Sequence, residues 1–396
     1  MNTVCKKDAC TGCMACIEKC SKSAIRIEDR LISYNAYIDE DKCIDCGQCM
    51  RVCQQNMSMK KTKPQSWYQG WANEKEIRAA SSSGGFATAI MAAFIKNKGC
   101  VCSCAFENGR FIFKIVDSTE QLREFQGSKY VKSTPEGIYS PIKRKLMQGE
   151  NVLFIGLPCQ VAGIKNFVGE KWLDNLYTAD LICHGCPSPQ LLKLYLEQHG
   201  LDIENLEDLK FRIKSSFNLH QGYHSLTLPG INDRYTYSFL KQLSYTENCY
   251  SCQFASVERV SDLTLGDSWG TNLDAEEQKR GISLALCQSE KGKTLLDIAD
   301  LYLTDVDIDR AIQNNKQLRQ TAIKPNVREK FFRMIKNGKK YDRAVFACYP
   351  KVFIRQDVKW ILLKLKVIRG GGEVISYHMH YLLKQKNNRC EFPEKV

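Results

Sequence analysis

Two stretches near the start of the chain, CTGCMACIEKC from Cys10 and CIDCGQCMRVC from Cys43, repeat the spacing Cys-x2-Cys-x2-Cys-x3-Cys. That spacing binds iron–sulfur clusters. A cubane needs four thiolates converging on four iron corners, and three cysteines at two-residue gaps let one tight loop supply three of them. The fourth comes from elsewhere. In the two-cluster arrangement the last cysteine of each run crosses over, which predicts one set of Cys10, Cys13, Cys16 and Cys53 and another of Cys43, Cys46, Cys49 and Cys20. Zinc sites pair cysteines across a longer gap, and secreted disulfide frameworks do not place three cysteines at two-residue gaps twice over.

The elements that position further chemistry follow along the chain. After the cysteine runs comes a polar connector, KKTKPQSWYQGWANEKE, read as a domain boundary from its breakers Pro64 and Gly70. SSSGGFATAIMAAFIKNKG reads as a Ser-Gly loop opening a helix that closes at Gly99, and such an N-terminus offers free N–H groups to an anion. VCSCAF and FIFKIV flank an Asn108-Gly109 turn and predict a hairpin, with Cys100, Cys102 and Cys104 on one face as small core residues. Two strand–loop–helix units follow. NVLFIG leads through Pro158 and Cys159 into a helix, and LYTADLIC leads through HGCPSP into QLLKLYLEQHG. Their repetition predicts parallel strands with functional loops at the C-terminal ends. LKFRI, YHSLTL and YTYSFL read as extended, then come the Cys249-x2-Cys252 pair, the strands DLTLGD and GISLALCQ, and a helix over GKTLLDIADLYL.

Composition bounds the classes. At 396 residues and 43% hydrophobic residues the chain can build two or three packed domains. Twenty cysteines point to a reducing, oxygen-poor cytoplasm, and the N-terminal residues reach the first cysteine run without an apolar core of signal-peptide length. The net charge of +13 is concentrated in residues 321–396, where 18 Lys and Arg face 6 Asp and Glu. The rest is nearly neutral, and no helix-turn-helix, zinc-finger or RNA-binding signature is present, so no nucleic-acid partner is expected. Within the basic tail, VKWILLKLKVI places Val358, Ile361, Leu362, Leu365 and Ile368 on one helical face among lysines. Such a face suits either packing on the body or peripheral contact with the inner face of a membrane.

The blocks SSSGGF, GSKYVKS, GLPCQVAG, DLICHGCPSP, NCYSCQFASVERVSDLTLGDSWG and GISLALCQSEKGK, in that order, resemble the coenzyme F-420 hydrogenase/dehydrogenase beta-subunit family carrying an N-terminal two-cluster ferredoxin domain. Ser21 and Gln54 depart from ferredoxins, which place proline after the fourth cysteine, and a cysteine, Cys186, replaces the valine of the usual HGVPSP. The resemblance implies an α/β (α+β) flavoprotein body that binds FAD and a further 4Fe-4S cluster. The family's cysteine pattern maps onto Cys159, Cys183, Cys249 and Cys252, with Cys186 a rival to Cys183; His184 is either a structural turn residue or a hydrogen-bond partner of sulfide or flavin. Ser83, Gly84, Gly85 and Lys129 are the implied FAD contacts, and no catalytic residue is assigned.

The expected domains are residues 1–63, a two-cluster ferredoxin domain; 64–150 and 151–325, the two parts of the body; and 326–396, a basic helical tail. The function so implied is an iron–sulfur, FAD-dependent oxidoreductase. It would pass electrons between a donor protein such as ferredoxin and a small organic acceptor, in a setting such as polysaccharide metabolism. Its alternatives are an electron-transfer subunit of a larger F-420- or formate-linked complex and an iron–sulfur redox sensor. Neither the substrate, the direction of electron flow nor the oligomeric state is legible.

Overall fold

The computed structural model describes residues 2–367. Each cysteine run forms a loop closed by a short helix, Ala15–Lys19 and Gln48–Val52, and each helix follows a left-handed residue, Met14 at φ 63° and Gly47 at φ 67°. A left-handed residue reverses the chain within a few atoms, which keeps cysteines two apart around one centre. Between the runs lies an antiparallel hairpin of β1 (Ile25–Asp29) and β2 (Tyr34–Ile38), with Ile25 opposite Ile38.

The body is a mixed sheet. Its strands in chain order are β3 (Ser66–Ala72), β4 (Cys100–Glu107), β5 (Arg110–Val116), β6 (Val152–Gly156) and β7 (Leu176–Leu181). The two-residue strands β8 (Leu209–Lys210), β9 (His220–Gln221) and β10 (His224–Ser225) form a small sheet of their own. Then β11 (Leu263–Asp267), β12 (Ser283–Cys287) and β13 (Leu301–Thr304) return to the large one, ordered β13-β3-β12-β11-β7-β6-β4-β5. The central neighbours β4, β6, β7 and β11 are parallel and the flanking strands antiparallel. Parallel strands need crossovers that cover both faces, and β6 is buried along its whole length. Helices Pro158–Val168 and Pro189–Gln198 follow β6 and β7 as their spacing predicts, and β4–β5 turn at Asn108 and Gly109, both with positive φ. The fold is therefore α/β with an N-terminal ferredoxin-like region and a helical C-terminal region.

Three segments differ from their sequence expectation. SWYQGWA is not connector but strand β3, between β12 and β13. Both its faces are covered, so its polar residues carry no visible period: buried Gln69 accepts from Ser268 Oγ at 2.7 Å and donates to the Asp305 carbonyl at 2.9 Å. Gly70 is no breaker either, since a Cβ there would fall 1.8 Å from the Tyr302 carbonyl oxygen of β13. YTYSFL is not extended but helical, within Arg234–Leu240, because Asp233 accepts from the Thr236 N–H at 2.6 Å and caps it. GKTLLDIADLYL splits into helix Glu290–Asp297 and strand β13.

The basic tail begins inside the core. Helices Arg328–Lys336, Tyr341–Cys348 and the start of Pro350–Lys364 contribute Phe331, Phe332, Tyr341 and Phe353 to a cluster with Leu191, Phe211 and Tyr235. An Arg234–Asp357 ion pair at 2.8 Å and a Lys359–Gly230 hydrogen bond at 2.9 Å hold the last helix. Of the amphipathic face, Val358, Ile361 and Leu365 are exposed, Leu362 is half-buried, and Ile368 lies outside the described residues. No described helix is long and apolar enough to cross a membrane.

The N-terminal region shares its core with the sheet. Ile25 and Val52 pack in one cluster with Ile142, Phe154, Val161 and Phe167. The Glu18 carboxylate accepts from the Tyr139 and Ser140 N–H groups at 3.1 and 2.8 Å, and Asn166 donates to the Val52 carbonyl at 3.2 Å. The cysteine loops are thus held against the body by a shared apolar core and by named polar ties.

Candidate iron–sulfur centres

Cys10, Cys13, Cys16 and Cys53 are buried together, and the charge of each acts on its neighbours. The Gly12 N–H points at Cys10 Sγ at 3.4 Å. A fifth thiol, Cys5, hydrogen-bonds both Cys10 and Cys53; this holds Cys10 low and brings Cys53 down to about 7. Burial pushes Cys13 up to about 12 and raises Cys16 as well. Thiols so desolvated do not ionise unaided, and metal binding is what replaces their protons. No sequence signal marked Cys5, which lies ahead of the run.

The second set is at the surface. Cys20, Cys43, Cys46 and Cys49 line one pocket with Lys22 and Ala24, whose N–H donates to Cys20 Sγ at 3.3 Å. Cys46 is exposed and the others half-buried, and the flanking Ile44 and Met50 are 59% and 50% exposed.

The third set is assembled from three distant segments. Cys159 is the second residue of helix Pro158–Val168, Cys183 lies two residues past β7, Cys249 sits in the turn Glu247–Ser251 and Cys252 ends it. Cys183 and Cys252 act on Cys159, and Cys183 acts on Cys249. Cys249 Sγ accepts from the Cys186 N–H at 3.4 Å and lies 3.7 Å from Thr246 Oγ1. The Cys186 thiol donates to Cys183, lowering Cys183 and, with burial, raising Cys186. Both rivals thus stand at one site. His184 pairs with Gln317 at 3.0 Å, and burial lowers its pKa.

These arrangements fit the group the spacing implies. Every described cysteine is free of disulfides, and backbone N–H groups point at sulfur in all three sets. Among the described residues no three His, Cys, Asp or Glu side chains converge closely enough to hold a single metal ion. Cys100, Cys102, Cys287 and Cys348 are core residues in the described structure, and Cys104 is half-buried.

The first and third sets are neighbours. Gly163 lies one turn beyond Cys159 on the same helix, and a Cβ there would fall 3.3 Å from Cys13 Sγ. Between the sets lies buried Lys132, whose Nζ donates to the Thr11 carbonyl at 2.9 Å. Burial works against its ammonium, but the sulfurs of Cys249, Cys186, Cys159 and Cys10 outweigh it and raise the pKa. Sequence reading singled out Lys129 in the same GSKYVKS block and passed over Lys132.

Of the four residues implied for flavin, Ser83, Gly84 and Gly85 form the Ser-Gly loop and Lys129 lies in the GSKYVKS block. Ser83 Oγ donates to the Ile282 carbonyl at 2.9 Å, and Gly84 packs where a Cβ would meet Gly70 O at 2.4 Å. Gly85, at φ 93°, starts helix Phe86–Lys96 without a side-chain cap. Lys129 Nζ donates to the carbonyls of Phe125, Gln126 and Gly127 at 3.1, 3.1 and 3.2 Å. The cations against the loop are Lys214, which donates to the Ser83 carbonyl at 2.9 Å, and Arg212, which donates to the Ser82 carbonyl at 2.7 Å and pairs with Asp267. Burial, with Arg78 and Arg212 nearby, lowers Lys214 to about 8.

Residues 9–57 match the 4Fe-4S dicluster domain, which contains the eight cysteines of the first two sets. No curated protein matches the chain. Among solved structures, a chain of the xenon-derivatized F420-reducing NiFe hydrogenase complex from Methanosarcina barkeri aligns at 14% identity and a TM-score of 0.43, over 68% of this chain and 99% of that one. Residues 67–136 match the coenzyme F420 hydrogenase/dehydrogenase beta subunit N-term, and residues 149–310 match the C terminus of the same beta subunit. Both halves therefore occur in order, over more than half of the sequence and behind a dicluster region, so the chain belongs to the coenzyme F420 hydrogenase/dehydrogenase beta-subunit family.

Proposed function

We propose that the chain is an electron-transfer iron–sulfur subunit of a larger oxidoreductase, with three 4Fe-4S clusters. Their ligands would be Cys10, Cys13, Cys16 and Cys53; Cys20, Cys43, Cys46 and Cys49; and Cys159, Cys183, Cys249 and Cys252. The gradation of burial carries this reading. The second set opens to solvent at Cys46, the first is buried behind it, and the third lies against the first where Gly163 meets Cys13. Clusters so held supply one-electron transfer. The protein's part is to space the thiolates, aim N–H groups at them and exclude water from the first set. Exposed Ile44 and Met50 beside the second set suit a protein partner that donates or accepts electrons there. A subunit role stands ahead of a free-standing enzyme for a small organic acceptor, because both body matches are to a beta subunit.

Anaerobic reconstitution is expected to load about twelve irons per chain, read by iron and sulfide analysis. A plateau at about eight would leave only the two N-terminal clusters and remove the third.

FAD is the second cofactor of this reading, with Ser83, Gly84, Gly85 and Lys129 as its contacts. Supporting this placement are the uncapped start of helix Phe86–Lys96 and the cations Arg212 and Lys214 against the loop, which together suit an anionic group. Lys214→Glu is expected to weaken FAD binding at least tenfold in fluorescence titration, with iron content unchanged. Wild-type affinity in that variant would move the flavin elsewhere.

A further inference from the structure

The segment 131–134 grips three cysteine-bearing loops at once. The Lys132 N–H donates to the carbonyl of Pro187, beside Cys186, at 2.9 Å, and Gln160, beside Cys159, donates to Ser133 O and Oγ at 3.3 and 3.1 Å. Thr134 anchors the segment to β5 through Phe111 and Phe113. From this platform the Lys132 side chain crosses to the first cysteine loop and ends on the Thr11 carbonyl, beside Cys10. Its stem passes over Gly12, where a Cβ would fall 3.2 Å from Lys132 Cδ, and its ammonium stands 4.9 Å from the Tyr34 ring centroid.

Lys132 is 5% exposed, and among the described residues no carboxylate pairs with its ammonium. The contrast with Arg259 is direct: that buried cation has Asp180 at 2.9 Å. Burying a charge without a counter-charge is costly, so Lys132 needs an anion. The anionic groups around it are cysteine sulfurs, from the third set on one side and from Cys10 of the first on the other. Two anionic sets packed close together repel, and a cation between them relieves both.

We propose that Lys132 is the shared counter-charge of the first and third clusters: a positioning residue that raises the potential of both and fastens the N-terminal cysteine loop to the body. This rests on the cysteines being cluster ligands, which the wild-type iron content decides separately. Reduction adds negative charge, so a neighbouring cation favours the reduced state and its removal lowers the midpoint potential.

The test is an EPR-monitored redox titration of the full, anaerobically reconstituted chain with Lys132→Met, Lys132→Gln and Lys132→Arg. The two neutral variants are expected to lower the midpoints of two cluster signals and leave the third, from the surface set, in place, while Lys132→Arg keeps the wild-type values. Loss of the first and third clusters in both neutral variants, with retention in Lys132→Arg, supports the same role. Neutral variants at full iron with unshifted midpoints overturn it. So does an arginine variant that behaves like the neutral ones, because shape rather than charge would then be what matters.

Discussion

Exchanging Cys249 and Cys252 together for serine is expected to cut the iron content by about one third, from about twelve to about eight per chain. Two of four proposed donors are lost, and a cubane does not persist on the remaining pair. Serine is close in size to cysteine, and Thr246, Asn248 and the Cys186 N–H can still hydrogen-bond at position 249. The first two sets lie in other loops, so their EPR signals should remain. With reduced ferredoxin as a probe donor and the proposed FAD loaded, electron delivery to the body, followed by the absorbance of that flavin, should slow greatly even though those two clusters reduce normally. Undiminished iron would remove the third site. Reduction at the wild-type rate would take it off the route.

Arg259→Met is expected to destabilise the protein by about 3–5 kcal/mol, because it leaves a buried carboxylate without its partner. Asp180 on β7 is fully buried, and Arg259 meets it through Nε at 3.2 Å and through its terminal nitrogen at 2.9 Å. The same guanidinium donates to the carbonyls of Phe254 and Leu181, both at 2.8 Å. It therefore fastens the segment after Cys252 to the strand that leads to Cys183, so the loss should also lower occupancy of the third set. Adding Asp180→Asn should restore much of the stability by removing the stranded charge. Anaerobic denaturation of the three variants reads this directly, and an unchanged unfolding midpoint in Arg259→Met would show that the pair contributes little.

Local geometry was legible from residue order. The two cysteine runs, the Asn108-Gly109 turn and the strand–loop–helix units at Cys159 and Cys183 all depend on contacts within a few residues, and each appears where its spacing places it. Legibility failed where burial on both sides or a single cap overrode composition. Strand β3 hides its period because Gln69 is buried with both partners supplied by other strands and loops. The segment Arg234–Leu240 carries aromatic and β-branched residues suited to a strand, yet Asp233 turns it into a helix. The basic charge of the C-terminal stretch likewise gave no sign that Arg328 is buried, donating to the Tyr245 carbonyl at 2.8 Å and reaching toward Ile32 at 3.3 Å.

By itself the sequence determined that this chain carries two runs of closely spaced cysteines in numbers that suit two clusters, because ligand spacing inside one loop is a matter of covalent reach. Only the tertiary structure decided what stands around them. Cys5 beside Cys10 and Cys53, Cys186 donating to Cys183, Arg259 on Asp180 and Lys132 between two sets all come from loops brought together across the fold. The charge that acts on a thiolate depends on through-space distance, and no spacing along the chain records how far apart two folded loops will lie.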